Sequence, residues 1–157
     1  PALASVNVRR SYPNGGPPFG NQTYHVDRNS KKFLKFFLYL NDVDIKGGPL
    51  SYVIGSHKHK FEGWDWHYNW PDAAIEKIFG NDRIFHATAE MGDFIVANTT
   101  GFHYGLKPAD RDRTMITVNY MVHPEGPAHS AFQISEKNYN AVPADRRYLL
   151  DFLEKVK

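Results

Sequence analysis

The chain has 157 residues, with 19 Lys and Arg against 17 Asp and Glu, a formal charge of +2 and no Cys. That length buries one core without staples, so a single domain suffices, and so small a charge gives no field to steer the protein onto nucleic acid or an anionic membrane. The lack of thiols excludes disulfides, a cysteine nucleophile and a zinc–thiolate site, which suits the cytoplasm, and no apolar run approaches the roughly 20 residues that span a bilayer.

From Leu3 to Tyr12 the pattern alternates around Val6 and Val8 and predicts a strand, ended by the turn-forming cluster Pro13-Asn14-Gly15-Gly16-Pro17-Pro18. A short strand over Gln22–Asp27 carries Tyr24-His25-Val26-Asp27. Alternate side chains of a strand share a face, so His25 and Asp27 present an imidazole and a carboxylate to one point while Val26 turns away. Phe33–Leu40 is too short for an ordinary helix, and its aromatic content predicts a core strand. One face carries Lys35, Phe37 and Tyr39, the other Leu34, Phe36, Leu38 and Leu40.

Asn41–Gly48 reads as a turn, and Leu50–Ile54 as a strand closed by Gly55-Ser56-His57-Lys58. From His59 to Asn69 neither period holds, which marks an irregular aromatic loop with Trp64, Trp66 and Trp70. Pro71-Asp72 opens a helix that Gly80 closes, predicted over Pro71–Phe79. Arg83–Ala87 and Asp93–Ala97 read as strands joined through Met91-Gly92-Asp93, and Thr99–Gly105 as a loop end bearing His103. Met115–Val122 alternates as a strand. Ala144–Val156, with Leu149, Phe152, Leu153 and Val156 on one face behind Pro143, predicts an amphipathic terminal helix.

Many short strands between Gly, Pro, Asn and Asp turns make the chain mostly β, a sandwich or barrel of antiparallel strands with one inserted helix and one terminal helix. Two His and one carboxylate form the facial ligand set of non-haem Fe(II) oxygenases, because they occupy one side of an octahedral ion and leave the other positions open. His25 and Asp27 supply two members, and His103, within Gly101-Phe102-His103-Tyr104-Gly105, is the candidate third. Arg113 enters the following strand as a fixed cation suited to a dicarboxylic co-substrate. Arg111 is its rival, but it sits in the polar loop Lys107–Asp112, where solvation is expected. His57 belongs to a turn, His59 and His67 to a polar loop, and His86, His123 and His129 have no partner at metal spacing. A lone His-x-Asp pair is unremarkable among eight His, so its context must carry the weight.

That context resembles the phytanoyl-CoA dioxygenase family of Fe(II)- and 2-oxoglutarate-dependent oxygenases. The matching motifs are His25-x-Asp27, the run from Lys35 to Asp44, Gly48-Pro49-Leu50 leading to Gly55-Ser56-His57-Lys58, and Gly101-x-His103-x-Gly105. They stand in the family's order and extend from Val6 to Met121. The resemblance implies one double-stranded β-helix domain over residues 1–157, a cupin-like jelly roll, without a helical region ahead of its first strand. It implies Fe(II) held by His25, Asp27 and His103, with Arg113 pairing the far carboxylate of 2-oxoglutarate. Phe37 falls where the family can place an aromatic beside the co-substrate, and Lys35 and Tyr39 share its predicted face; packing in the core, with a snorkelling Lys, is an equal alternative for these three. The implied reaction consumes O2, converts 2-oxoglutarate to succinate and CO2, and hydroxylates a small organic substrate. Related halogenases lack the carboxylate, so Asp27 argues for hydroxylation. The Trp-rich loop either walls the substrate pocket or caps the sandwich. Two other readings stand beside this one: a cupin-like metalloenzyme that does not use 2-oxoglutarate, and a non-catalytic jelly-roll binding module.

Overall fold

The computed structural model describes residues 2–28, 33–59, 70–121, 133–150 and 154–156. In chain order its main elements are β1 (Ala2–Ser11), β2 (Phe33–Tyr39), β3 (Leu50–Val53), α1 (Asp72–Phe79), β4 (Ile84–Ala87), β5 (Phe94–Ala97), β6 (His103–Gly105), β7 (Arg113–Met121), β8 (Gln133–Ser135), α2 (Glu136–Ala141) and β9 (Glu154–Val156). The chain is mostly β. One antiparallel sheet runs β1-β7-β2-β5, a second runs β4-β3-β6, and β8 and β9 form a small parallel pair.

The register of the larger sheet sets out the floor of the site. Across β1, β7 and β2 the rows are Arg9–Met115–Tyr39, Asn7–Thr117–Phe37 and Ser5–Asn119–Lys35, with Ser11 beside Arg113 at the end. Side chains in such a checkerboard share one face. That face meets the smaller sheet across a core of Phe37, Tyr39 and Met115 from one side and Leu50 and Ala87 from the other, with Val43. Tyr39 ties the two sheets together, because its hydroxyl donates to the Ala87 carbonyl at 3.1 Å and accepts from the Leu50 amide at 3.0 Å. A second cluster, Tyr24, Val53, Ile75 and Phe102, lies where α1 covers the end of β3 and the start of β6.

The outer face of the larger sheet is apolar yet open, with Val6, Val8, Leu34, Phe94 and Val96 all exposed. Along this strand Phe37 and Tyr39 are buried on the inner face, while on the outer face Leu34 and Leu40 are exposed and Phe36 and Leu38 half-buried. At the other end of β2, the turn over Asn41–Gly48 closes on Gly48, whose φ of 76° and contact with the 106–108 backbone leave no room for a side chain. This turn therefore packs directly against the approach to β7.

Three expectations change. Gln22–Asp27 is not a sheet strand; a 3₁₀ turn over Gly20–Gln22 leads into extended backbone held by isolated bridges, Tyr24 to Trp70 and His25 to His103. His103 opens a short strand rather than standing in a loop, because β3 offers it a ladder through Tyr52. The terminal helix over Ala144–Val156 is replaced by a 3₁₀ segment, Ala144–Leu150, and then β9. The Arg147 guanidinium donates to the carbonyls of Val142 and Asn140, folding that segment back, and β8 supplies a ladder for the last residues. Trp64, Trp66, His67, Val122, His123, His129, Phe152 and Leu153 lie outside the described residues. Helix α1 starts one residue later than its sequence predicts, with Pro71 as its N-cap, and stops at Gly80 as predicted. No helix among the described residues is long and apolar enough to cross a membrane.

Candidate metal centre

The segment 24–27 alternates as its sequence requires although it has no strand partner along its length. Tyr24 and Val26 face the second apolar cluster, where Tyr24 meets Tyr104 edge-on with ring centroids 4.5 Å apart. His25 and Asp27 face the other way. Their backbone is fixed by a reciprocal pair of bonds between His25 and His103, each 3.0 Å, and by the Asp27 amide donating to the Thr99 carbonyl at 2.8 Å. The Trp70 amide donates to the Tyr24 carbonyl at 2.9 Å.

His103 is seated with equal care. Phe102 is buried in the second cluster, its amide donating to Ser56 Oγ at 2.8 Å and its carbonyl accepting from the Val53 amide at 2.9 Å. A Cβ on Gly101 would meet the Tyr52 hydroxyl, Ser56 Oγ at 2.7 Å and the His57 amide at 2.9 Å. Only glycine lets this turn nest on the Gly55-Ser56-His57-Lys58 turn.

The structure brings His25, Asp27 and His103 together, with one candidate ligand atom from each within 4.8 Å of the others. His25 Nδ1 lies 2.8 Å from the Thr23 carbonyl and His103 Nδ1 2.9 Å from the Gly101 carbonyl. A carbonyl only accepts, so each Nδ1 carries the proton and each Nε2 keeps its lone pair for the centre. Burial pushes both imidazoles down, His103 to about 4, and both are neutral at pH 7. For Asp27, burial would raise the carboxyl, but the charges of His103 and Lys35 outweigh it and hold the group below its ordinary value. With His103 neutral near pH 7, Lys35, which pairs with Asp27 Oδ2, is the cation that keeps the carboxylate ionised there. Two neutral imidazoles and one carboxylate in a buried pocket fit a divalent first-row metal ion by donor type and protonation state. Among the described residues no other group of His, Cys, Asp and Glu reaches metal spacing. His86 is bonded to Ser51 Oγ at 2.7 Å, and His57 is exposed on its turn.

Arg113 opens β7 and is only 3% exposed. Its Nη2 reaches Ser11 Oγ at 3.4 Å, a weak contact, while Nε and Nη1 are buried with no hydrogen-bond partner among the described residues. Gly105 lies against it, since a Cβ there would stand 2.9 Å from Nη2. Burial lowers the Arg113 pKa, and the group still remains a cation at neutral pH. Arg111, two residues earlier, has a 52% exposed side chain paired with Asp44 and Asp110. Of these two arginines, only Arg113 lines the cavity of the site.

A cavity of ≈ 580 Å³ joins His25 and His103 to Arg113, with Lys35 and Phe37 in its lining. Tyr39, expected on the same face, does not line it; its hydroxyl is spent between the sheets. Arg9 and Asn119 line the cavity and were not singled out from the sequence, although the period of two on β1 and β7 places both on the cavity face.

No family model matches the sequence, and no curated protein matches it. Solved structures do. The non-haem α-ketoglutarate-dependent carbocyclase SnoK from nogalamycin biosynthesis matches with a TM-score of 0.60 at 18% identity, over 82% of this chain and 59% of its own. EctD from S. alaskensis, solved with bound Fe, gives 0.60 at 17% identity over 80% of this chain and 47% of its own. The non-haem monooxygenase ThoJ in its apo form gives 0.55 at 18% identity over 83% and 51%. This chain shares the fold of these three structures. It spans about half the length of these neighbours.

Proposed function

We propose that the chain is the core of an Fe(II)- and 2-oxoglutarate-dependent oxygenase of phytanoyl-CoA dioxygenase type, a double-stranded β-helix that hydroxylates a small organic substrate with O2. One observation carries the reading: the two histidines of a His–Asp–His cluster in its ligand protonation state line the same cavity as a buried guanidinium with two nitrogens unpaired among the described residues. A cation in that state lacks the anion that would justify its burial. A dicarboxylic co-substrate reaching from the metal to Arg113 supplies it.

In this reading His25 Nε2, His103 Nε2 and an Asp27 oxygen hold the ion. Bound Fe(II) supplies the open positions at which a 2-oxo acid is chelated and O2 is activated. The protein's own groups do the rest. Thr23 and Gly101 fix the imidazole tautomers through their carbonyls, and Lys35 keeps Asp27 ionised and oriented. Arg113 receives the far carboxylate through Nε and Nη1, a two-point contact that sets the co-substrate's direction. Phe37, buried in the wall, keeps water from the span between them. Asp27 fills the carboxylate position, which favours hydroxylation over halogenation. The neighbours' printed activities include a carbocyclase and an epimerase, so this fold serves several outcomes and the substrate decides among them.

Anaerobic addition of Fe(II) and then 2-oxoglutarate should give a weak visible charge-transfer band, and admission of air should give iron-dependent succinate. No band in the metal-loaded protein would sink this reading and leave a metalloenzyme that does not use 2-oxoglutarate. A protein that binds both and forms no succinate would be a binding module.

A further inference from the structure

We propose that the substrate is a small polar anion whose carboxylate or phosphate is held by Arg9, in the same cavity in which 2-oxoglutarate takes Arg113. This rests on the oxygenase reading above. The cavity lining contains three permanent or near-permanent cations, Arg9, Lys35 and Arg113, and no Asp or Glu. Lys35 is committed to Asp27, and Arg113 to the co-substrate. Arg9 is left over.

The placement of Arg9 is set by strand geometry. It is opposite Met115 in the register, between the row that ends in Arg113 and the row of Asn7, Thr117 and Phe37. Its neighbour Arg10 points the other way, where it pairs with Asp112 and lies over the Tyr12 ring at 5.1 Å. Among the described residues no carboxylate comes within ion-pair distance of Arg9.

A second, independent group calls for a polar ligand. Asn119 is 9% exposed and donates through Nδ2 to Ser5 Oγ at 2.6 Å, while its Oδ1 is buried without a partner among the described residues. It lines the same cavity, beside Lys35 in the register. That oxygen can accept from a hydroxyl or amino group of the same substrate. A lipid-like chain in this space would desolvate Arg9 and leave Asn119 unmet, both unfavourable. A hydroxylated or aminated carboxylate or phosphate satisfies the two together.

The test uses wild-type protein and Arg9→Gln, each loaded anaerobically with Fe(II) and saturating 2-oxoglutarate. Methyl phosphate, propionate and the neutral propionamide are titrated in, and binding is followed by the visible band and by the NMR shifts of the arginine Nε–H groups. Saturable binding of one anion, with propionamide inert and with affinity about tenfold or more weaker in Arg9→Gln, is the expected result. Methyl phosphate against propionate then separates a phosphate-bearing from a carboxylate-bearing substrate. Equal binding of the anions and propionamide, or no saturable response beside an intact band, overturns the inference and spares the oxygenase reading. A loss of 2-oxoglutarate affinity in Arg9→Gln assigns Arg9 to the co-substrate and also overturns it. If neither protein shows a band, the oxygenase reading fails and this inference falls with it.

Discussion

The two ends of the cavity are built by different means. At the arginine end, Arg113 opens β7 beside Ser11 of β1, and Phe37 stands on β2 between β7 and β5, so that their directions follow from register alone. At the metal end, His25 and Asp27 lie on backbone held at a few points, with Tyr24, Val26 and Phe102 pressed into an apolar cluster behind them. Hydrogen bonding orients one end and packing the other. The metal end should therefore answer to changes in the apolar cluster that never touch a ligand.

That contrast can be broken most sharply at Phe102. Phe102→Ala should cost about 3–5 kcal/mol in denaturant unfolding and also weaken metal binding, because the next residue is His103. Met115→Ala, in the core under the arginine end, should cost about 2–5 kcal/mol yet leave metal affinity within about twofold. Equal loss of metal in both variants would erase the distinction. Next in size, Asp27→Ala should reduce metal affinity, read by chelator competition, by more than the roughly 10–100-fold that loss of an outer partner costs, while the fold stays intact. Wild-type turnover in that variant would remove Asp27 from the site.

At the other end, Arg113→Ala should raise the 2-oxoglutarate concentration needed for half-saturation by about tenfold or more, and Arg111→Ala by less than about twofold. Equal effects would overturn the choice between them. The smallest effect is on acid stability. Above pH 6.5 His103 is neutral whether the chain is folded or not; between 6.5 and about 4 the unfolded chain takes up a proton there that the folded chain refuses. Stability therefore falls as pH drops through that window, and Asp27, held below 3.8, extends the loss further into acid. Urea titrations of His103→Gln should show a shallower decline than wild type.

Much of the larger sheet's inner face could be read from the sequence, since alternation in Lys35, Phe37 and Tyr39 and the position of Arg113 at a strand entry are local signals. So was α1, bounded by Pro71 and Gly80. The candidate ligands His25 and Asp27 follow from their spacing and His103 from its Gly-flanked turn, but their means of support do not. Extended backbone has the same sequence pattern whether its partner is a full strand or two isolated bridges, and Trp70, Thr99 and His103 are chosen by tertiary packing. Helix α2 escaped because Glu136–Ala141 is short and polar, with no apolar stripe to betray it.

Strand β1 shows another limit. Alternation around Val6 and Val8 predicts the strand and leaves its inward face open; Val8 is 69% exposed, and Asn7, Arg9 and Ser11 line the cavity. Hydrophobic pattern identifies the strand and not its faces. A functional cavity needs polar groups inward, and here that need reverses the usual rule.

The solitary guanidinium of Arg113 has a practical corollary. A ligand that binds only the folded state stabilises it by about 2.7 kcal/mol at a hundredfold excess over its dissociation constant. Any dicarboxylate that seats against Nε and Nη1 should then raise the melting temperature, with neither oxygen nor substrate present. The share of that rise which persists without metal isolates the arginine's contribution, and makes thermal shift a first screen for what this cavity accepts.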